Sequence, residues 1–269
     1  MRNLRAVFEV ARQTSRLLCM DRLYLLLWLL MVGGGVLVFL VGFEMSRHVD
    51  GTVLFAGSAW WMLGTVTIPW TTSYLCVQAV HGDVEDRTFQ YLFVRPVPRW
   101  TVLLGKVLAA CFLSSICHAF GAGMLLLGAA YHEDRWPNGI DPSLFTTMLA
   151  ALTMLVVGYA AIASYFAARC RRPLIWCAAF VIFGAMFLPM LPAKAGLRVA
   201  TLADPVRRFL FDRLDPNPRF VEALWPSERG FSEDLIGEPL WNVAIVIGIG
   251  LGLALLSYSR AEYDSRERE

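Results

Sequence analysis

Six long stretches of apolar residues divide this chain, separated by short polar or charged segments. They are residues 23–43, 53–80, about 102–131, 143–168, 173–192 and 241–259. A helix crossing a hydrocarbon core of about 30 Å needs roughly 20 apolar residues, and each stretch suffices. The apolar residues run on continuously, without the alternation in twos of a membrane β-strand. The pattern predicts an all-α membrane protein with six transmembrane helices.

The flanking segments carry a helical period of their own. At about 100° per residue, Leu4, Val7, Phe8, Ala11 and Leu18 fall on one stripe. Arg2, Arg5, Glu9, Arg12 and Arg16 fall on the opposite face. Residues 1–22 therefore read as an amphipathic helix in the membrane interface, with arginines toward anionic headgroups. The alternative is a helix packed on the protein itself.

Residues 81–100 read HGDVEDRTFQYLFVRPVPRW. Asp83 suits an N-cap, and Glu85 and Asp86 suit the first turn, where the helix dipole favours acids. Phe89, Leu92 and Phe93 share one face at i, i+3, i+4 spacing, and Pro96 ends the helix by disfavouring the helical region for Arg95. A short helix at about 84–95 thus presents large apolar side chains. It either docks a partner or dips back under the spans.

Residues 193–240 are long for a loop. Asp204 is placed to cap a helix, Pro205 to occupy its first position and Pro216 to end it. Val206, Phe209, Leu210 and Leu214 form its apolar stripe, so it should lie on or dip into the outer leaflet. Residues 216–240, with Trp225 and several prolines, read as an irregular cap.

Composition agrees with the pattern. The chain has 269 residues, 57% hydrophobic and 17% charged, with 9 Trp and 17 Phe; mean hydropathy is +0.54. Soluble domains carry about 45–50% apolar and about 25% charged residues. A disordered chain, a basic nucleic-acid-binding protein and an ordinary soluble enzyme are excluded. The net charge of +2 says little; its distribution says more. Basic residues number five in 1–22 and three each in 81–101, 169–172 and 260–269, but one each in 44–52 and 132–142. Both termini are expected in the cytoplasm. The seven in 193–240 count for less, because the bias weakens in long loops.

The first apolar run is too long for a signal-peptide core, so it should remain as an anchor. None of the six cysteines falls in an expected external loop, and no CxxC pattern occurs; no disulfide is expected.

Sites for chemistry are sparse. No Asp or Glu lies in the middle of a span, where proton relays and ion-coupled carriers place them. A GxxxxGK[ST] loop, HExxH and Gly-x-Ser-x-Gly are all absent. No metal site and no cofactor of its own is predicted. Of four histidines, only His118 lies within a span. With no acid nearby in sequence, it is expected to make an interhelical hydrogen bond. Small residues recur at Gly33, Gly34 and Gly35, at Gly121 and Gly123, and at Ala244, Gly248 and Gly252. They suit close helix approach within the bundle or between copies. Span 53–80 is the most polar, with Thr65, Thr67, Thr71, Thr72, Ser73, Tyr74 and Gln78 around Pro69. Such a span either lines a path or uses hydroxyls to satisfy carbonyls freed by proline.

The layout resembles the membrane subunit of type-2 ABC exporters, six-span permeases that pair with a separate ATPase. A basic amphipathic N-terminal helix, six spans and an amphipathic external segment between spans 5 and 6 carry the likeness. So does the segment between spans 2 and 3, with Glu85, Thr88, Tyr91-Leu92, Pro96, Arg99 and Gly105-Lys106. Arg87 stands where the family usually has a small residue before the threonine, and the external segment is longer than in a minimal permease.

The resemblance implies that residues 84–95 form a coupling helix in a groove of the ATPase, through Glu85, Arg87, Thr88, Phe89, Leu92 and Phe93. It implies a dimer with a second permease copy or homologue in the inner membrane, with ATP and magnesium held by the partner ATPase. The substrate path would be lined by Thr67, Thr71, Tyr74, Phe180, Phe183 and Phe187. Membrane lipids are expected partners, and nucleic acid is not. A rival reading is a self-sufficient membrane enzyme or scaffold acting through 193–240. There Arg207, Arg208 and Arg213 would bind phosphate or headgroups, or else snorkel from an interfacial helix.

Overall fold

In a computed structural model, the described residues are 2–44, 51–85, 98–132, 142–187, 202–213 and 239–260. Nearly all of them are helical, and none is in a strand. Helix α1 is Arg2–Cys19 and α2 is Arg22–Glu44. Helix α3, Gly51–Ser58, runs through a π-helical stretch, π1, Ala59–Thr67, into α4, Ile68–Glu85. Helix α5 is Arg99–His132 and α6 is Pro142–Arg169. Helix α7, Pro173–Phe180, continues into a second π-helical stretch, π2, Val181–Phe187. Helix α8 is Ala203–Arg213 and α9 is Pro239–Arg260.

Five helical runs are long and apolar enough to cross a membrane: Arg22–Leu40, Gly51–Gly82, Arg99–Ala130, Pro142–Arg169 and Leu240–Ser259. The remaining expected span, 173–192, is described only to residue 187, as α7 and π2; its apolar helical part, Pro173–Gly184, is shorter than a crossing requires. The predicted helix at 84–95 lies outside the described residues except for Val84 and Glu85. Most of 193–240 lies outside them too.

Helix α5 is the hub, packed against α2, α4 and α6. It runs parallel to α2: Tyr24 donates its hydroxyl to the Leu113 carbonyl at 3.3 Å, and further along Gly35 meets Met124 and Gly128 meets Phe39. It runs antiparallel to α4, pairing Thr72 with Ser114 and Leu63 with Gly121. A Cβ on Gly35 would sit 2.7 Å from the Met124 Cβ, and one on Gly128 would sit 2.8 Å from the Gly35 carbonyl oxygen. Gly35, Gly121 and Gly128 are therefore close-approach residues. Gly33, Gly123, Gly248 and Gly252 have open space beside them, so the stripe on α9 faces outward.

The outer faces are apolar. Leu29 is 70% exposed, and Leu25, Leu37, Ile245, Ile249 and Leu256 are also exposed. In water such a belt would be unfavourable at about 25 cal/mol per Å²; against lipid tails that penalty disappears.

Helix α1 combines both readings of its pattern. Val7, Thr14 and Leu18 are buried, with the Val7 carbonyl and Val10 seated at Gly105 of α5. Leu4 and Phe8 stay exposed on a second face. Arg5, Arg12 and Arg16 occupy a third. One face thus meets protein, and the other two suit lipid and headgroups.

Candidate functional site

The polar span is where the fold departs from a plain helix. A proline at 69 has no N–H, and its ring crowds the carbonyl four residues back. The helix ahead of it widens into π1, with the Ile68 N–H bonded to the Leu63 carbonyl. Hydroxyls supply further bonds: Thr65 donates to the Trp60 carbonyl at 3.3 Å and Thr67 to the Leu63 carbonyl at 3.2 Å. Hydroxyls thus bond the Trp60 and Leu63 carbonyls of the widened turn, whereas the carbonyl that Pro69 deprives of its N–H is that of Thr65, four residues back. Stretch π2 is described to Phe187, two residues before Pro189 in the sequence; π1 ends two residues before Pro69. The two π-helical stretches touch each other. Such widened turns occur disproportionately at functional sites.

Below π1, α4 is pinned to α5 by a buried polar cluster. The Thr71 hydroxyl lies 3.1 Å from Nε2 of His118. His118 Nδ1 lies 2.7 Å from the Ser114 carbonyl oxygen. A carbonyl only accepts, so Nδ1 donates and Nε2 accepts from Thr71. The Ser114 and Thr72 hydroxyls are 2.6 Å apart. His118 therefore makes the interhelical bond expected of it.

One turn beyond Thr71, Tyr74 donates its hydroxyl to Asp21 Oδ2 at 2.7 Å. The other carboxylate oxygen accepts the Leu23 N–H at 3.0 Å, which makes Asp21 the N-cap of α2. Tyr74 thus ties α4 to the elbow between α1 and α2. Phe180 packs on Tyr159 and Phe166 of α6 at centroid distances of 6.4 and 6.1 Å. Phe183 of π2 is 64% exposed.

Of the residues assigned to the path, Thr67 and Phe183 belong to the touching π-helical stretches. Thr71 and Tyr74 face α5 and the elbow, and Phe180 faces α6. The side chain of Phe187 lies outside the described set. Among the coupling residues, Glu85 is the last residue of α4, its side chain outside the described set. Arg87, Thr88, Phe89, Leu92 and Phe93 lie outside it altogether.

Helix α8 differs from the expected surface helix. It starts at Ala203, so Asp204 and Pro205 lie in its first turn instead of at its cap. It packs against α6 and α9, with Val206 and Leu210 fully buried and Leu202 against Gly158. Arg207 is 3% exposed and does not snorkel. Its guanidinium lies 5.1 Å from the Trp60 ring centre and 5.6 Å from that of Trp61, on π1. Asp204 lies 3.9 Å from Arg208.

Asp21 and the Trp60–Arg207 contact were not foreseen. Asp21 had a signal, an acid immediately before a long apolar run. The Arg207 contact joins segments distant in sequence and had none. Among the described residues, no group of three or more His, Cys, Asp or Glu could hold a metal ion.

These features define a multi-pass helical membrane protein whose polar features are internal ties. The family model for the ABC-2 family transporter protein matches residues 10–211. The chain belongs to that family and is a permease subunit of an ABC transporter. No curated protein matches it.

Proposed function

We propose that this chain is the membrane half of an ATP-driven exporter with six passes and both termini in the cytoplasm. A second permease copy or homologue completes the path. A separate ATPase, holding ATP and magnesium, docks on residues 84–95 through Glu85, Arg87, Thr88, Phe89, Leu92 and Phe93. The observation that carries this reading is the family match, which runs through both π-helical stretches and the 84–95 segment.

The geometry supports a lever. Helix α4 runs unbroken from the end of π1 to Glu85, fastened to α5 at Thr71 and Thr72 and to the elbow at Tyr74. A displacement at Glu85 would travel as a rigid body to the touching π-helical stretches. The path follows Thr67, Thr71, Tyr74, Phe180, Phe183 and Phe187. Cargo contact at Thr71 and Tyr74 requires their present hydrogen bonds to open. An apolar and aromatic lining suits an amphipathic cargo.

The test is the assembled complex carrying Glu85→Ala, or Phe89→Ala with Leu92→Ala. Loss of cargo-stimulated ATP hydrolysis, with the permease still folded, supports the coupling assignment; unchanged transport refutes it. The rival, an enzyme or scaffold working through 193–240, has less to work with, since Arg207 is buried on two tryptophans. Arg208→Gln with Arg213→Gln, which leaves the buried Val206 and Leu210 in place, separates the two. The permease reading expects ATPase binding to survive, whereas the rival expects every activity to vanish.

A further inference from the structure

A cleft of about 250 Å³ opens at the end of the bundle where α4 finishes and α7 begins. Gln78 and His81 line it from α4, Arg171 and Arg172 from the turn before α7, and Val77 and Leu174 add apolar wall. Among the described residues, none of those lining it is acidic. The residue ahead of Pro173 is Arg172, whose side chain makes no cap bond to α7. The positive end of that helix therefore faces the same cleft.

The surroundings narrow the choice of ligand. Drug-sized sites run to about 300–1,000 Å³, so this cleft suits a single headgroup. Arg169 ends the preceding span, which sets the cleft at headgroup depth. From its rim Ile175, 59% exposed, and Ile182, seven positions on and 46% exposed, share one outward helical face, a track for an acyl chain. A soluble anion would use the arginines and leave this track bare. A basic pocket between spans beside an apolar track fits a charged head with a hydrocarbon tail.

The geometry points to a binding site for one anionic phospholipid, its phosphate held by Arg171, Arg172 and His81 and its chain along Ile175 and Ile182. The lipid bridges the end of α4 to the start of α7. It fixes their spacing three residues before Glu85, where the segment assigned to the ATPase begins. The binding step needs no ATPase and no particular orientation of the chain, so it stands apart from the proposed coupling.

The test is native mass spectrometry of the purified full chain in mild detergent, with phosphatidylglycerol, phosphatidylcholine or inorganic phosphate added. One phosphatidylglycerol should be retained in preference to phosphatidylcholine. Arg171→Gln with Arg172→Gln should weaken that retention about thirtyfold. Removing two basic residues also alters the charge that orients the chain, so a second variant keeps the charge. Among the described residues a Cβ on Gly82 meets Gln78 Oε1 alone, at 3.7 Å, so Gly82→Leu should fill the cleft, fold normally and expel the lipid. Equal retention of the two lipids, or retention unchanged in both variants, overturns the site. Displacement of the lipid by inorganic phosphate assigns the cleft to a free anion and overturns the lipid.

Discussion

Tyr74 on α4 donates its phenolic hydrogen to Asp21, 53 positions earlier, at 2.7 Å. Asp21 simultaneously caps α2 through the Leu23 N–H. One carboxylate thereby sets the start of the first span and ties α4 to the elbow beside α1. Tyr74→Phe removes a charge-assisted bond and should destabilise the purified chain by about 1–2 kcal/mol. Asp21→Ala loses the cap as well and should cost about 1 kcal/mol more. Thermal unfolding in detergent, as a double-mutant cycle, measures both. A coupling energy of zero would remove Tyr74 from this role.

His118 and Thr71 form the second tie between distant segments. His118→Leu leaves the Thr71 hydroxyl only the Ile68 carbonyl at 3.5 Å and should cost about 1 kcal/mol, within the range for polar contacts between membrane helices. Thr71→Val in the same background should add little, because its partner is already gone. Additive losses would show that the two act separately.

The glycines of the α2–α5 contact separate by position. Gly128→Val forces a side chain against the Gly35 carbonyl and the Phe39 backbone, neither of which is a flexible tip. It should lower the yield of folded protein sharply, as overpacking costs about 1–3 kcal/mol or more. Gly123→Val, with nothing within 4 Å, should leave the yield unchanged. Size-exclusion profiles of the two variants check the contrast.

Cysteine labelling tests the arrangement of the ends. Cys19 is exposed and Cys170 partly so. Burial raises the Cys170 thiol above its ordinary range, against the lowering effect of neighbouring Arg169. Thiolate is the reactive form, so Cys170 should label slowly near neutral pH and faster as pH rises. With both termini in the cytoplasm, a membrane-impermeant maleimide should reach both residues in inverted vesicles and neither in intact cells. Labelling of Cys19 in intact cells would reverse the proposed orientation.

The boundaries of the first and last predicted spans were legible because they depend on local quantities. Residues 23–43 anticipated α2 and 241–259 anticipated α9, each to within two residues. Where a helix begins and ends follows from apolar run length, an Asp or Pro at the start and charge at the ends. The stripe on α1 was legible as a stripe, but not its division into a face for protein and a face for lipid. Leu4 and Val7 are equally apolar, and only the position of Gly105 tells them apart.

By itself, the sequence determined the all-helical class, the apolar runs and the absence of a nucleotide loop, since each is a property of contiguous residues. Tertiary structure decided which polar side chains meet, Tyr74 with Asp21, Thr71 with His118 and Arg207 with Trp60, and that Arg171, Arg172 and His81 line one cleft. In a span, a polar group with no internal partner pays a heavy desolvation penalty. Partner choice is therefore strict. It depends on helix rotation and register, which the packing of Gly35, Gly121 and Gly128 sets and no single segment encodes.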